Sequence, residues 1–208
     1  MGAKVQIIFY SMYGHIYKLA EAVAAGARET NGAEVELFQI AETLPMSILE
    51  KMGAVDGKKE FQHVPTADYK NLVNADAIIL GTGTRFGNST AQMQTFIDAT
   101  GSHWNAGALI GKVGSAFTST ASQHGGQETT LLGLHRFFYH QGMLVSGVPY
   151  AAQELLNMNE ITGGSPYGAG TITGAKGERM PSSNELAIAK FQGRHVSEIA
   201  SRLKAGRS

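Results

Sequence analysis

A short polar turn, Ser11-Met12-Tyr13-Gly14-His15, holds residues suited to binding an anion. Before it, Val5, Ile7, Ile8 and Phe9 read as a strand buried on both faces. After it, Ile16, Leu19, Ala20, Val23 and Ala27 keep the spacing of one buried helix face. Strand, small polar loop and helix in that order aim free backbone N–H groups and the positive end of a helix dipole at one point. Ser11 adds a hydroxyl donor, and Gly14 accepts backbone conformations that other residues resist. A phosphate group is the natural guest.

Two further loops share this chemistry. Ala75 to Gly81, A-D-A-I-I-L-G, is the clearest buried strand, and it opens into Thr82-Gly83-Thr84-Arg85-Phe86-Gly87-Asn88. Gly111 to Phe117 reads as another strand, opening into Thr118 to Gly126. A helix follows each loop, one with Met93, Phe96 and Ile97 on its inner side, the other over Gln127 to Gln141. Glu34 to Ile40 reads as an outer strand with one exposed face, and Met143 to Val148 as the last strand. Strands alternating with helices predict an α/β fold, a doubly wound parallel five-stranded sheet with helices on both faces. In such sheets ligands sit beyond the carboxyl ends of the strands. The loops after the first, third and fourth strands, all rich in Ser, Thr and Gly, are therefore expected to meet at one edge.

Composition limits the alternatives. The 208 residues suit one domain, with 43% hydrophobic and 16% charged residues as in an ordinary globular chain. Lys plus Arg and Asp plus Glu both number 17, so no basic field attracts nucleic acid. The same balance argues against a strongly acidic electron carrier. The absence of Cys removes disulfides, thiolate nucleophiles and Cys-ligated metals, and is compatible with the cytoplasm. No segment has the apolar length needed to cross a bilayer, and no signal peptide is expected. The seven His residues show no metal-ligand spacing. Gly81-x-Gly83 fails the dinucleotide fingerprint because Phe86 takes the third glycine's place.

Two segments interrupt the alternation. Residues 41–71 hold Pro45, Pro65 and the charged run Asp56-Gly57-Lys58-Lys59-Glu60, with no long periodic element. Residues 149–181 are irregular and rich in glycine. A closing helix is announced by Ser182 and Glu185 in a capping-box pattern, followed by Leu186, Ala189, Phe191, Val196, Ile199 and Leu203.

The wording of these pieces resembles the WrbA-type NAD(P)H:quinone oxidoreductases, flavodoxin-like proteins that hold FMN. S-M-Y-G-H-I is similar to the family loop that wraps the FMN phosphate. The resemblance thus places Ser11, Met12, Tyr13, Gly14, His15 and Ile16 around the phosphate and ribityl chain, with Tyr13 also on the substrate side. The fragment from Thr82 resembles the family's T-P-T-R-F-G-N, with Gly83 where the family has Pro. It implies contacts from Thr84, Arg85 and Phe86, with Arg85 meeting the flavin carbonyls or the charge of a reduced ring. The third loop resembles S-S-T-G-T-G-G-G-Q-E. It implies hydrogen bonds from Ser119 and Thr120 and further contacts from Ala121, Ser122, Gln123, His124 and Gly125, although the middle four depart from the pattern.

By the same resemblance Trp104 walls the pocket for nicotinamide or quinone. His140, in a segment similar to the family's H-H-G-M, lies near the flavin and positions or protonates the quinone oxygen. Gln141 replaces the second His of that motif. The match covers nearly the whole chain and makes the two irregular segments family-type insertions. It implies two-electron reduction of quinones by NADH or NADPH in ping-pong order, a homotetramer built as a dimer of dimers, a cytoplasmic setting and a role in oxidative stress. The alternative is a flavodoxin-like electron carrier or a non-catalytic FMN-binding protein.

Overall fold

The computed structural model describes residues 2–206. Strands β1 (Lys4–Tyr10) and β3 (Ala77–Gly83) run parallel at the centre, with Val5 opposite Ala77 and Tyr10 opposite Thr82. β2 (Glu34–Gln39) flanks β1, and β4 (Val113–Thr120) flanks β3. With β5 (Leu144–Val145) outside β4 the order is β2-β1-β3-β4-β5, all parallel. Both faces are covered, which is why β1 and β3 are apolar with little alternation, while β4 is buried but carries Ser115 and Thr118 to Thr120. On one face α1 (His15–Arg28) and α7 (Ser183–Ala205) pack on Val5, Ile7 and Phe9. On the other, α4 (Ala91–Asp98) and α6 (Gln127–His140) pack on Ile8, Ile78 and Leu80.

Helices α1 and α7 approach to backbone contact. A Cβ on Gly26 would stand 1.8 Å from the Lys190 carbonyl oxygen, and one on Gly193 1.9 Å from that of Val23. Each helix therefore needs glycine where it meets the other. The capping box at Ser182 and Glu185 is present, with the Glu185 N–H donating to Ser182 Oγ and the Ser182 N–H to Glu185 Oε2.

The two irregular segments hold more structure than their sequences suggest. Residues 41–71 contain the short helices α2 (Met46–Lys51) and α3 (Val55–Lys59), and a 3₁₀ turn spans Tyr69–Asn74. Leu49, Phe61 and Val64 anchor this stretch in the core. Another short helix, α5 (Gly101–Asn105), follows α4.

The expected strand from Met143 to Val148 is corrected. Only Leu144 and Val145 pair with β4, opposite Val113 and Gly114. The chain then leaves the ladder at Gly147, so close to Pro166 that a Cβ would lie 2.0 Å from its carbonyl oxygen. It returns as β6 (Gly170–Ile172), opposite Thr118 to Thr120. One sheet position is thus filled in two pieces, and the expected five-stranded order stands with β6 as one extra short strand. Between the pieces Gln192 of α7 bonds the open flank, its Nε2 donating to Ser115 Oγ and the Ala116 carbonyl. Among the described residues no helix is long and apolar enough to cross a membrane.

Candidate active site

The three loops do meet. At the carboxyl edge of the sheet they line a cleft of about 180 Å³, with Ser11, Met12, Tyr13, His15 and Ile16 from the first, Thr84 and Arg85 from the second, and Ser119, Thr120 and Ala121 from the third. Gly83, read from sequence as the departure from the family's Pro, joins the lining, and Tyr10, Thr90, Thr173 and Gly177, not singled out from sequence, complete it. Gly14 lies behind the lining in the αL conformation (φ 93°) as the N-cap of α1.

The first loop presents donors. Ser11 Oγ accepts the N–H groups of Gly14 (3.1 Å) and Tyr17 (3.4 Å), taking the capping role that Gly14 lacks a side chain to play. Among the described residues the N–H groups of Met12, Tyr13, His15 and Ile16 have no acceptor within the protein. Four such groups at the start of a fourteen-residue helix form an anion cradle. His15 is buried and gives its ring to the fold, with Nε2 3.0 Å from the Gly177 carbonyl. That oxygen can only accept, so the ring proton sits on Nε2. Burial lowers the His15 pKa against the opposing pull of this bond and keeps the ring neutral.

The second loop is a tight turn. Arg85 and Asn88 exchange backbone hydrogen bonds of 2.8 and 3.0 Å, and Thr84 Oγ1 meets Thr130 Oγ1 at 2.7 Å. The turn puts Phe86 at φ +51°, fully exposed and outside the lining. A non-glycine residue held there is strained, and strain of this kind collects at functional sites. Gly83 has no positive φ and would carry a Cβ in ordinary contact with Ser119 Oγ, so the path at this position does not depend on glycine.

The third loop divides. Thr120 Oγ1 donates to the Ser122 carbonyl (2.8 Å) and accepts Gln127 Nε2 (3.0 Å), which fixes the end of β4. Ser122, Gln123 and His124 are exposed, Gly125 is half-buried, and none of the four joins the lining.

A fourth wall comes from the turn after β6. The Thr173 N–H donates to the Thr120 carbonyl and the Arg179 N–H to that of Thr173, both at 2.8 Å. Arg179 Nη1 is held 2.9 Å from Glu185, which has no exposed surface. Glu185 also accepts the N–H groups of Gly163, Ile172 and Ser182 and the Thr171 hydroxyl. One buried carboxylate thus joins the insertion, β6, the cleft wall and the start of α7.

Behind the first loop lies a polar cluster. The Tyr10 hydroxyl donates to Glu42 Oε2 (2.8 Å), Gln92 Nε2 donates to Glu42 Oε1 (3.0 Å), and Lys58 Nζ lies 2.7 Å from Glu42 Oε2. Burial alone would raise the Glu42 pKa, but Lys58, the Leu44 N–H and the Tyr10 hydroxyl outweigh it and bring it from 4.5 to about 2. A lowered carboxylate pKa stabilises the fold above its ordinary value and is lost below it. Stability is therefore expected to fall by about 3 kcal/mol from this group as pH drops from 4.5 towards about 2. Urea midpoints measured across that range should decline less steeply in Glu42→Gln, and parallel profiles would rule the coupling out.

Trp104 and His140 lie elsewhere. α6 runs antiparallel to β4, so His140 ends up at the amino edge of the sheet, about 20 Å along the helix from the cleft. Gln141 Nε2 donates to Thr100 Oγ1 (3.0 Å), which brings α5 and the exposed Trp104 to that same edge. Neither residue reaches the cleft of its own chain.

A family model described as NADPH-dependent FMN reductase matches residues 7–154. The chain belongs to this family. An NAD(P)H dehydrogenase (quinone) from Aromatoleum aromaticum is 60% identical over 205 residues, spanning 99% of both proteins. Another of that name, from Geobacter metallireducens, is 58% identical over 97% of this chain and 99% of its own length. Among solved structures, the flavodoxin, WrbA-like protein from Agrobacterium tumefaciens superposes with a TM-score of 0.64 at 24% identity, over 96% of this chain and 98% of that one. That likeness bears on the fold. The cofactor of the FMN reductase family fits the cleft on chemical grounds. Free N–H groups at the first loop suit its phosphate, and Arg85 offers a planar cation for the ring end.

Proposed function

We infer that the protein is an FMN-dependent NAD(P)H:quinone oxidoreductase. The observation that carries this reading is the meeting of the phosphate cradle, Arg85 and the Ser119–Ala121 loop in one cleft, in a chain that matches NAD(P)H dehydrogenases (quinone) over their full length. When bound, FMN would supply the redox chemistry, a ping-pong exchange through its N5 in which the nicotinamide gives up a hydride and the quinone gains that hydride together with a proton. The protein's own task is to bind and orient. The N–H groups of Met12, Tyr13, His15 and Ile16 receive the phosphate, and Met12, Tyr13 and Ile16 give apolar contact beside it. Ser119 and Thr120 supply hydrogen bonds, and Arg85 stabilises negative charge on the ring. Phe86, Gly14 and the outer residues Ser122 to Gly125 belong to the same loops and frame the opening.

Trp104 and His140 enter this scheme from a second copy of the chain. Their distance from their own cleft supports a homotetramer, a dimer of dimers, in which each supplies the substrate side of a neighbour's cleft. There Trp104 walls the ring pocket, and His140 positions or protonates the quinone oxygen. The chain works as one flavodoxin-like domain with two insertions, in the cytoplasm, where two-electron delivery keeps quinones from the one-electron reduction that feeds oxidative stress.

An anaerobic titration of the FMN-loaded protein with NADH, and separately with NADPH, tests the reading through the flavin's visible absorbance. Bleaching at one equivalent of at least one nucleotide, reversed by benzoquinone, is expected. Bound flavin that responds to neither nucleotide would overturn it in favour of a carrier.

A further inference from the structure

We propose that Lys58 is a positioning residue for the cofactor phosphate, acting through the Ser11–Met12 peptide and anchored by Glu42. The inference rests on the reading that FMN occupies the cleft. Lys58 belongs to α3, in the irregular stretch between β2 and β3, and is not part of the cleft lining. Its Nζ donates to the Ser11 carbonyl at 3.2 Å and lies 2.7 Å from Glu42 Oε2. The ammonium also sits over the rings of Tyr10, 4.9 Å from the centroid, and Phe61, 5.7 Å away. It therefore has an ion pair, a carbonyl and two aromatic faces holding it in one place.

The consequence follows from peptide geometry. In a trans peptide the carbonyl and the next N–H point in opposite directions, and the described chain has no cis bond. With the Ser11 carbonyl turned out to Lys58, the Met12 N–H is turned the other way, to the cleft side of the loop. That N–H is one of the four without an acceptor in the protein. The loop is pressed from the same outer side by Gly57, where a Cβ would lie 2.8 Å from Tyr13 Cα. α3 thus sets both the position of the loop and the direction of one of its donors. Lys58 lies outside the cleft lining, and its own charge is matched by Glu42.

The test compares FMN with riboflavin, which lacks the phosphate, by fluorescence titration of the apoprotein. Lys58→Met keeps the aliphatic stem over Tyr10 and removes the donor. It is expected to weaken FMN binding about tenfold and leave riboflavin binding unchanged. Glu42→Gln separates positioning from simple charge. An anchor that orients Lys58 should, when lost, also weaken FMN binding, and adding it to Lys58→Met should cost little more. Tighter FMN binding in Glu42→Gln would show a freed cation acting through space and would overturn the proposal. So would equal losses for FMN and riboflavin in Lys58→Met, or no loss of FMN affinity at all. Thermal unfolding of each apoprotein identifies any variant that has lost its fold, and Lys58→Arg then serves as the retained-charge variant, expected to recover part of the FMN affinity. If the wild-type protein bound no FMN, the failure would belong to the functional reading and not to Lys58.

Discussion

Gly26→Ala is expected to destabilise the protein by about 3 kcal/mol or more, although alanine is the better helix former by about 1 kcal/mol. The reason is the approach of α1 to α7. The new methyl would stand 1.8 Å from the Lys190 carbonyl oxygen, and that oxygen belongs to a helix backbone that cannot rotate away. Relief requires the two helices to separate, which opens the packing of Leu19, Val23, Ile188 and Val196 on the sheet. Gly133 in α6 is the control. A Cβ there meets nothing closer than the end of the Arg136 side chain at 3.7 Å, so Gly133→Ala should be neutral or stabilising. The denaturant midpoint of Gly26→Ala should fall, and that of Gly133→Ala should hold or rise. A Gly26→Ala midpoint equal to the wild type would mean that the helix contact adjusts freely.

Glu185→Ala should cost more than any surface substitution, about 3–5 kcal/mol, because it strands Arg179 and several backbone donors at a buried point. Glu185→Gln keeps the volume and two acceptor lone pairs but loses charge, and should cost about 1–3 kcal/mol. The effect reaches the cleft, since Arg179 closes the turn that carries Thr173 and Gly177. Glu185→Gln should therefore also bind FMN more weakly while remaining folded at room temperature. Calorimetric melting gives the first quantity and FMN titration the second. Unchanged FMN affinity in a folded Glu185→Gln would remove the Thr173–Arg179 turn from the site.

Much of this architecture was legible in the sequence, for identifiable reasons. β1 and β3 are buried on both faces and so read as short apolar runs, β4 was readable from its place before a Ser- and Thr-rich loop, and Ser182 with Glu185 announced α7 through a capping box that forms as expected. The first loop was readable because a serine and a glycine between strand and helix have few other uses. β6 was not, since Gly170-Thr171-Ile172 is too short for any period to show and its pairing with β4 is set by a distant register. The same limit hid Thr173 and Gly177, whose place in the cleft depends on Glu185 and His15 rather than on local sequence. Tyr10 and Thr90 were passed over because a strand's last residue and a helix cap look ordinary in isolation. Trp104 and His140 illustrate another boundary. Motif likeness assigns His140 to the flavin and Trp104 to the substrate pocket, yet the direction of α6 carries His140 away from its own cleft.

The divided fifth strand bears on how the protein avoids polymerising. A long bare sheet edge is a template on which further chains add. Here one outer edge is split into β5, two residues long, and β6, three residues long, and the flank between them is closed by the Gln192 amide. The opposite edge is β2, where Glu34 and Glu36 flank the Lys4 ammonium of β1 at 3.1 and 2.9 Å. An incoming strand would find two short, separated pieces on one side and a charged row on the other. The looped-out segment between Val145 and Gly170 thus serves colloidal stability, and a redesign that joined β5 and β6 into one continuous strand would extend the fibre-competent edge it now lacks.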